Sequence, residues 1–227
     1  MEPKLWACLL ALKHYLAPFG SIIDVGANNG ASAKMIASVF KNHTILAIEP
    51  ILTNVNEIRR RTRSLPNVVA IRGGLGERNG TSSYGGSLDD KPSASMKSTG
   101  PQYGDRLKYN LQQRIEPRRV TFPIFTIDGL IVNTKLAFAH IDVEGAEEEV
   151  LKGGMQTIFR DRPIFTVERF PQSRAVFYKS MMQLLKLISY QAYEIPESCG
   201  ADDCRNYVAL PAEKDIDFPK ECSCITC

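Results

Sequence analysis

The chain has 227 residues, a formal net charge of +3, 44% hydrophobic and 23% charged residues. This suits one α/β domain with a full core and excludes a disordered or fibrous chain. The charge is too small to argue for nucleic acid or a membrane surface, and no stretch reaches the roughly 18 apolar residues of a membrane span.

Leu5 to Leu12 is an apolar run as short as the core of a secretory leader. It lacks a basic leading segment and a strand follows almost at once, so residues 1–20 are expected to form a docking helix. Ile22 to Val25 then reads as a strand. It breaks into the turn Gly26-Ala27-Asn28-Asn29-Gly30, and a helix is expected from Ala31 to Phe40. A second strand, Thr44 to Ile48, ends in Glu49-Pro50. A helix from Thr53 to Arg63 carries the densest basic run, read as a solvated helix end. Val68 to Ile71 is a third strand, followed by Gly73-Gly74-Leu75-Gly76.

Glu77 to Pro101 is rich in Gly, Ser and Asn and is expected as a flexible or functional loop that orders over the site with acceptor. A helix over Asp105–Ile115 and a short strand over Val120–Phe125 come next, with a helical turn starting at Thr126. Ala137 to Ile141 is a fourth strand ending at Asp142-Val143-Glu144-Gly145. One helix is expected from Ala146 to Phe159, a fifth strand from Pro163 to Val167 ending at Glu168, and a long helix from Arg174 to Ser189. Tyr190–Ile195 and Tyr207–Leu210 close the pattern as a hairpin. Alternating strands and helices predict an α/β fold, a Rossmann-like, seven-stranded, mostly parallel sheet with helices on both faces. The main domain is expected over 21–212, with a Cys-rich tail over 213–227.

In such a sheet ligands bind outside the carboxyl ends of the strands. Asp24, Glu49, Asp142 and Glu168 fall at or near such ends, and Glu144 lies just past one. An acidic residue about twenty positions after a glycine turn can accept hydrogen bonds from a ribose, so a nucleoside-containing cofactor is implied. Gly26 and Gly30 do not make the dinucleotide pattern G-x-G-x-x-G, and an Asp ahead of the turn repels a pyrophosphate. It suits an amino-bearing, cationic ligand such as S-adenosylmethionine. Asp24 and Asp142 have a purely structural alternative as helix caps. His140 is expected on the opposite face from Ile141, as a core residue or as a base. A divalent metal held by the carboxylates is an alternative that the spacing does not demand.

Asp24–Gly30, Ile48-Glu49-Pro50, Gly74-Leu75-Gly76, Thr126–Leu130 and His140–Glu147 resemble the successive motifs of FkbM-type methyltransferases. Val150–Gly154, the strand to Glu168 and Asn206–Pro211 continue the likeness, which covers about Ile22 to Pro211. The resemblance implies a class I methyltransferase fold, S-adenosylmethionine as donor, and methylation of a hydroxyl on a small molecule or carbohydrate. It implies that Asp24, Gly26 and Gly30 frame the methionine portion, with Asn28 in the same turn, and that Glu49 binds the ribose. Gly74 and Leu75 then pass near the adenine. Asp142 and Glu144 face the transferring methyl or the acceptor, and Asp142, Glu144, Glu168 and His140 are the candidate bases.

Two other readings use the same residues: a non-catalytic descendant that keeps the fold, and a nucleotide-dependent oxidoreductase. Neither nucleic acid nor membrane is an expected partner, the expected location is cytoplasmic, and no oligomeric state is implied. Of the six cysteines, Cys199, Cys204, Cys222, Cys224 and Cys227 crowd the end of the chain. Free thiols, disulfides and a zinc site all remain open for them.

Overall fold

The computed structural model describes residues 3–85, 119–143, 145–169, 175–196 and 205–216. Helix α1 (Pro3–Leu12) precedes β1 (Gly20–Val25), α2 (Ala31–Val39), β2 (His43–Glu49), α3 (Leu52–Arg61) and β3 (Val68–Arg72). A short β4 (Gly74–Leu75) and β5 (Gly80–Gly85) follow, then β6 (Arg119–Phe125), α4 (Ile127–Leu130) and β7 (Leu136–Ile141). The chain continues through α5 (Glu147–Lys152), α6 (Met155–Asp161), β8 (Ile164–Arg169), α7 (Ala175–Leu187), β9 (Tyr190–Pro196) and β10 (Arg205–Pro211).

Seven strands form one sheet in the order β3-β2-β1-β7-β8-β10-β9. The first five in that order are parallel, and β10 runs antiparallel to both β8 and β9. The order reverses direction between β1 and β7, the switch point at whose carboxyl ends open sheets of this kind bind ligands. A second sheet, β4-β6-β5, stands beside the end of β2, joined there by the Gly73 amide donating to the Glu49 carbonyl at 3.1 Å.

Each face of the large sheet buries its own core. One holds Ile23, Val25, Ala139, Ile141 and Val167 under Ile127, Leu151, Ile158, Met181 and Leu185 from α4 to α7. The other holds Ile22, Ile45, Phe138, Ile164 and Val208 under α1 and α2. Helix α1 meets this face with Leu5, Cys8, Leu9 and Leu12, all buried, at the spacing of one helical stripe. The expected docking helix is therefore an integral part of the core.

Two expectations change. The single helix over Ala146–Phe159 is two helices, broken at Gly153-Gly154. The break follows from close packing: a Cβ on Gly153 would overlap the carbonyl oxygen of Gly76, and one on Gly154 would crowd Ile127. The polar stretch after Glu77 is not all loop, because Gly80–Gly85 pairs antiparallel with β6. The rest of that stretch, and the helix expected over 105–115, lie outside the described residues.

Cys8 is disulfide-bonded. The five other cysteines lie outside the described residues. Reducing the protein should lower its melting temperature by about 5 °C, the size expected for about 2 kcal/mol of cross-link stabilisation in a chain of this length. Thermal scans with and without reductant check this. An unchanged midpoint after verified reduction would show that the bond adds no stability.

Candidate functional site

The carboxyl edge of the large sheet gathers the acidic residues. Asp24 lies opposite Ala47 on β2 and His140 on β7, and His140 lies opposite Thr166 on β8. Side chains in register share a face, so Asp24, His140 and Thr166 form one row on the α1–α2 side. One step nearer the edge, Glu168 lies opposite Asn206 of β10.

Asp24 is fully buried at 0% exposure. Its Oδ2 accepts from the Ser32 hydroxyl at 2.7 Å, whereas its Oδ1 has no partner. Burial pushes its pKa up to about 7, assisted by the charge of Glu49, while the Ser32 hydroxyl and Ala33 amide pull it down. An orphaned, buried carboxylate oxygen is costly and calls for a donor or a cation.

The turn that follows is held by geometry. Gly26 and Gly30 adopt φ of 81° and 79°, and a Cβ on Gly26 would overlap the Asp142 carbonyl oxygen. The Asp142 amide donates to Val25 O at 3.0 Å. The turn after β1 thus lies directly against the segment after β7. Asn28 is exposed with φ of 46°, a left-handed conformation that Asn tolerates better than most residues.

Glu49 is buried at the end of β2. Its Oε2 accepts from the Asn28 amide at 2.9 Å, and its Oε1 from the Ile51 amide at 2.9 Å and Asn54 Nδ2 at 3.3 Å. Burial raises its pKa, against the lowering effect of these donors. Gly74 and Leu75 are buried in β4, and the Leu75 side chain belongs to the core under α4 to α7 rather than to the open edge.

At the ends of the neighbouring strands, Asp142 is half-buried past the end of β7, and Glu168 is half-buried on β8. Glu144 lies outside the described residues. His140 is buried, with Nδ1 2.8 Å from Thr166 Oγ1 and its ring 5.9 Å from that of Trp6. Burial lowers its pKa to about 4, so the imidazole is neutral at physiological pH. It lies one row below the edge, as part of the packing under α1.

Sequence reasoning missed four side chains here. Ser32 donates to Asp24 and Asn54 donates to Glu49, as described. Thr166 fixes the His140 ring. Glu147, buried at the start of α5, turns back so that Oε1 accepts from the Val143 amide at 3.3 Å and the Gly145 amide at 3.0 Å. Burial raises its pKa and the charge of Glu168 raises it further. It braces the segment that carries Asp142. Its signal in the sequence is the run Glu147-Glu148-Glu149 at the start of a helix, which the favourable interaction of acidic residues with a helix N-terminus explains equally well.

Among the described residues, no group of three or more His, Cys, Asp or Glu side chains is arranged to hold a metal ion. Nor is any helix among them long and apolar enough to cross a membrane.

A family model described as the methyltransferase FkbM domain matches residues 24–200. Among solved structures, the methyltransferase FkbM from Methylobacillus flagellatus KT aligns with a TM-score of 0.57 at 18% identity. That alignment covers 84% of this chain and 44% of the other, so the chain spans less than half of that protein. Aeropyrum pernix fibrillarin, solved with natively bound S-adenosyl-L-methionine, aligns with a TM-score of 0.53 at 13% identity, covering 91% and 74% of the two chains. An rRNA methylase from Streptococcus thermophilus aligns with a TM-score of 0.50 at 9% identity, covering 92% and 93%. At these identities the likeness is one of fold, the class I methyltransferase fold. No curated protein matches by sequence. With the family's domain model spanning residues 24–200 of the chain, from the glycine turn through the closing strands' first half, this protein belongs to the FkbM methyltransferase family.

Proposed function

We propose that this chain binds S-adenosylmethionine at the β1–β2 edge and methylates a hydroxyl of a small molecule or carbohydrate held beside β7 and β8. The observation that carries the reading is the orphaned Oδ1 of buried Asp24 beside the glycine turn. A dry carboxylate oxygen suits a ligand ammonium and opposes a phosphate. Glu49 supports the nucleoside half, because Oε2 carries only the Asn28 amide and keeps a lone pair for a hydroxyl.

When bound, the cofactor supplies an electrophilic methyl group on a sulfonium centre. The protein's task is then to position the acceptor and manage its proton. Asp142, past the end of β7 and against the glycine turn, is our choice to orient the acceptor hydroxyl and take its proton. Glu168 lies on the neighbouring strand and serves the acceptor's other polar groups. His140, neutral and buried against Thr166 and Trp6, supports the floor of the site. Glu147 holds the Asp142 segment in place through the Val143 and Gly145 amides.

The Cys8 disulfide favours an oxidising compartment over the cytoplasmic location expected from the sequence. Mass spectrometry of alkylated protein purified from its native source distinguishes the two.

Calorimetry with S-adenosylmethionine, S-adenosylhomocysteine and NAD in parallel tests the cofactor. Tighter binding of NAD than of either sulfur compound would overturn it. Asp24 adds a pH signature. Its pKa of about 7 in the free protein must fall when an ammonium binds beside it. Affinity for S-adenosylhomocysteine should therefore drop about tenfold from about pH 8 to about pH 6, because protons must leave for binding to occur. In Asp24→Asn this dependence should vanish.

The same shift sets a stability sign. The folded pKa lies above the ordinary 3.8, so the native state holds the extra proton and stability declines as pH rises from about 4 to about 7. Asp24→Asn should then melt higher than the parent above neutral pH while binding less ligand. A flat affinity profile together with an unchanged melting temperature would remove Asp24 from the site.

A further inference from the structure

The acidic end of β2 is more heavily engaged by its own chain than a simple ribose acceptor needs to be. A carboxylate offers about four lone-pair positions. On Glu49, the Ile51 amide and Asn54 Nδ2 occupy Oε1, and the Asn28 amide occupies one position on Oε2. One position remains, whereas a ribose brings two neighbouring hydroxyls. The Asn28 side chain stands beside it: its Oδ1 receives Asn54 Nδ2 at 3.4 Å. Asn54 is itself buried on α3, and its carboxamide spans Glu49 and Asn28 through two contacts of 3.3 and 3.4 Å.

We propose that Asn54 is a positioning residue of the ribose subsite, holding Glu49 Oε2 and the Asn28 carboxamide so that each takes one ribose hydroxyl. The proposal rests on the reading that this edge binds S-adenosylmethionine. Its physical content is a division of labour. Asn54 and the Ile51 amide hold Oε1, which leaves the remaining acceptor position on Oε2. Asn54 also steadies Asn28, whose exposed side chain would otherwise sample many rotamers. Both Asn54 contacts are at the long end of the hydrogen-bond range, so Asn28 can exchange one for a ligand hydroxyl at little cost. Ala and Leu at position 54 both lack the donor, but Leu keeps most of the buried volume.

Calorimetry on the full chain, with S-adenosylhomocysteine and its 2′,3′-dideoxyribose analogue, tests this. Asn54→Leu should weaken S-adenosylhomocysteine about fivefold or more, the loss expected when hydrogen-bonding groups fall out of line. Its effect on the dideoxy analogue should be under about twofold, because that ligand has no hydroxyls to align. Asn28→Gly keeps the left-handed turn and the amide to Glu49 while removing the carboxamide. It should show the same hydroxyl-dependent loss, and it carries the test if Asn54→Leu fails to fold. Equal losses for both ligands would overturn the proposal in favour of a purely structural Asn54, and so would an unchanged affinity for S-adenosylhomocysteine. Failure of the parent chain to bind S-adenosylhomocysteine would overturn the cofactor reading itself, and the proposal with it.

Discussion

Glu49→Ala should weaken S-adenosylhomocysteine binding by about 1.5–3 kcal/mol, the range for losing charge-assisted hydrogen bonds to a neutral donor. The substitution also releases the Asn28 and Ile51 amides and Asn54 Nδ2, all of which now end on this carboxylate. Part of the loss therefore comes from a slacker glycine turn. Glu49→Gln separates the two contributions, because it keeps the shape and one acceptor oxygen. Stability should move differently from affinity. Burial raises the Glu49 pKa, so the charged form costs folding energy at neutral pH, and that cost is absent at pH values low enough to protonate both states. Glu49→Gln should thus lose ligand affinity and lose less melting temperature than Glu49→Ala, because removing the buried charge partly offsets the backbone amide that its NH2 leaves without an acceptor. Calorimetry paired with thermal scans reads both. Unchanged affinity in the folded alanine variant would sink the ribose role.

The large sheet was legible in the sequence because its strands announce themselves. Ile22–Val25, Thr44–Ile48 and Ala137–Ile141 are mostly apolar runs with buried residues on both faces, they end at Gly26, Glu49-Pro50 and Asp142, and each lies within an observed strand. The edge carboxylates were legible for the same reason: once the strand ends are known, so are the residues on them. What stayed hidden depends on contacts across space. Gly153 and Gly154 break a helix because Gly76 and Ile127 press against them, and neither neighbour is visible in the helical pattern. Strand β5, Gly-Thr-Ser-Ser-Tyr-Gly, has the composition of a loop and becomes a strand by pairing with β6. Asn54 is one polar residue on a helix with no periodic signal of its own. Only the approach of α3 to the end of β2 gives it Glu49 and Asn28 as partners. The Cys8 bond is of this kind too, since spacing cannot specify a cross-link between distant parts of a chain.

Asp142→Asn should lower kcat by about 10²-fold or more on an identified acceptor, in the range usual for acid–base catalysis, while S-adenosylhomocysteine affinity changes little. The asymmetry follows from position. Asp142 stands past the end of β7, against the glycine turn, and its backbone rather than its side chain makes the close approach to Gly26. A carboxylate there can orient a hydroxyl and take its proton as the oxygen attacks, an interaction that grows toward the transition state. Asn keeps the size and can still accept a hydrogen bond, but it cannot take the proton. The competing explanation was that Asp142 caps the following helix, a role that Asn fills about equally well. The N-cap of α5 is Ala146, and it is Glu147 that satisfies the Val143 and Gly145 amides ahead of it. Asn can keep a contact that Asp142 makes to the backbone, so a large kcat loss in a variant with a normal melting temperature is the expected result and separates the proton role from capping. Near-normal turnover would leave Glu168 as the described carboxylate to test next. Adding EDTA to the parent protein completes the argument: activity that survives chelation assigns the proton directly to the side chain, and activity that is lost assigns it to a metal which Asp142 helps to hold.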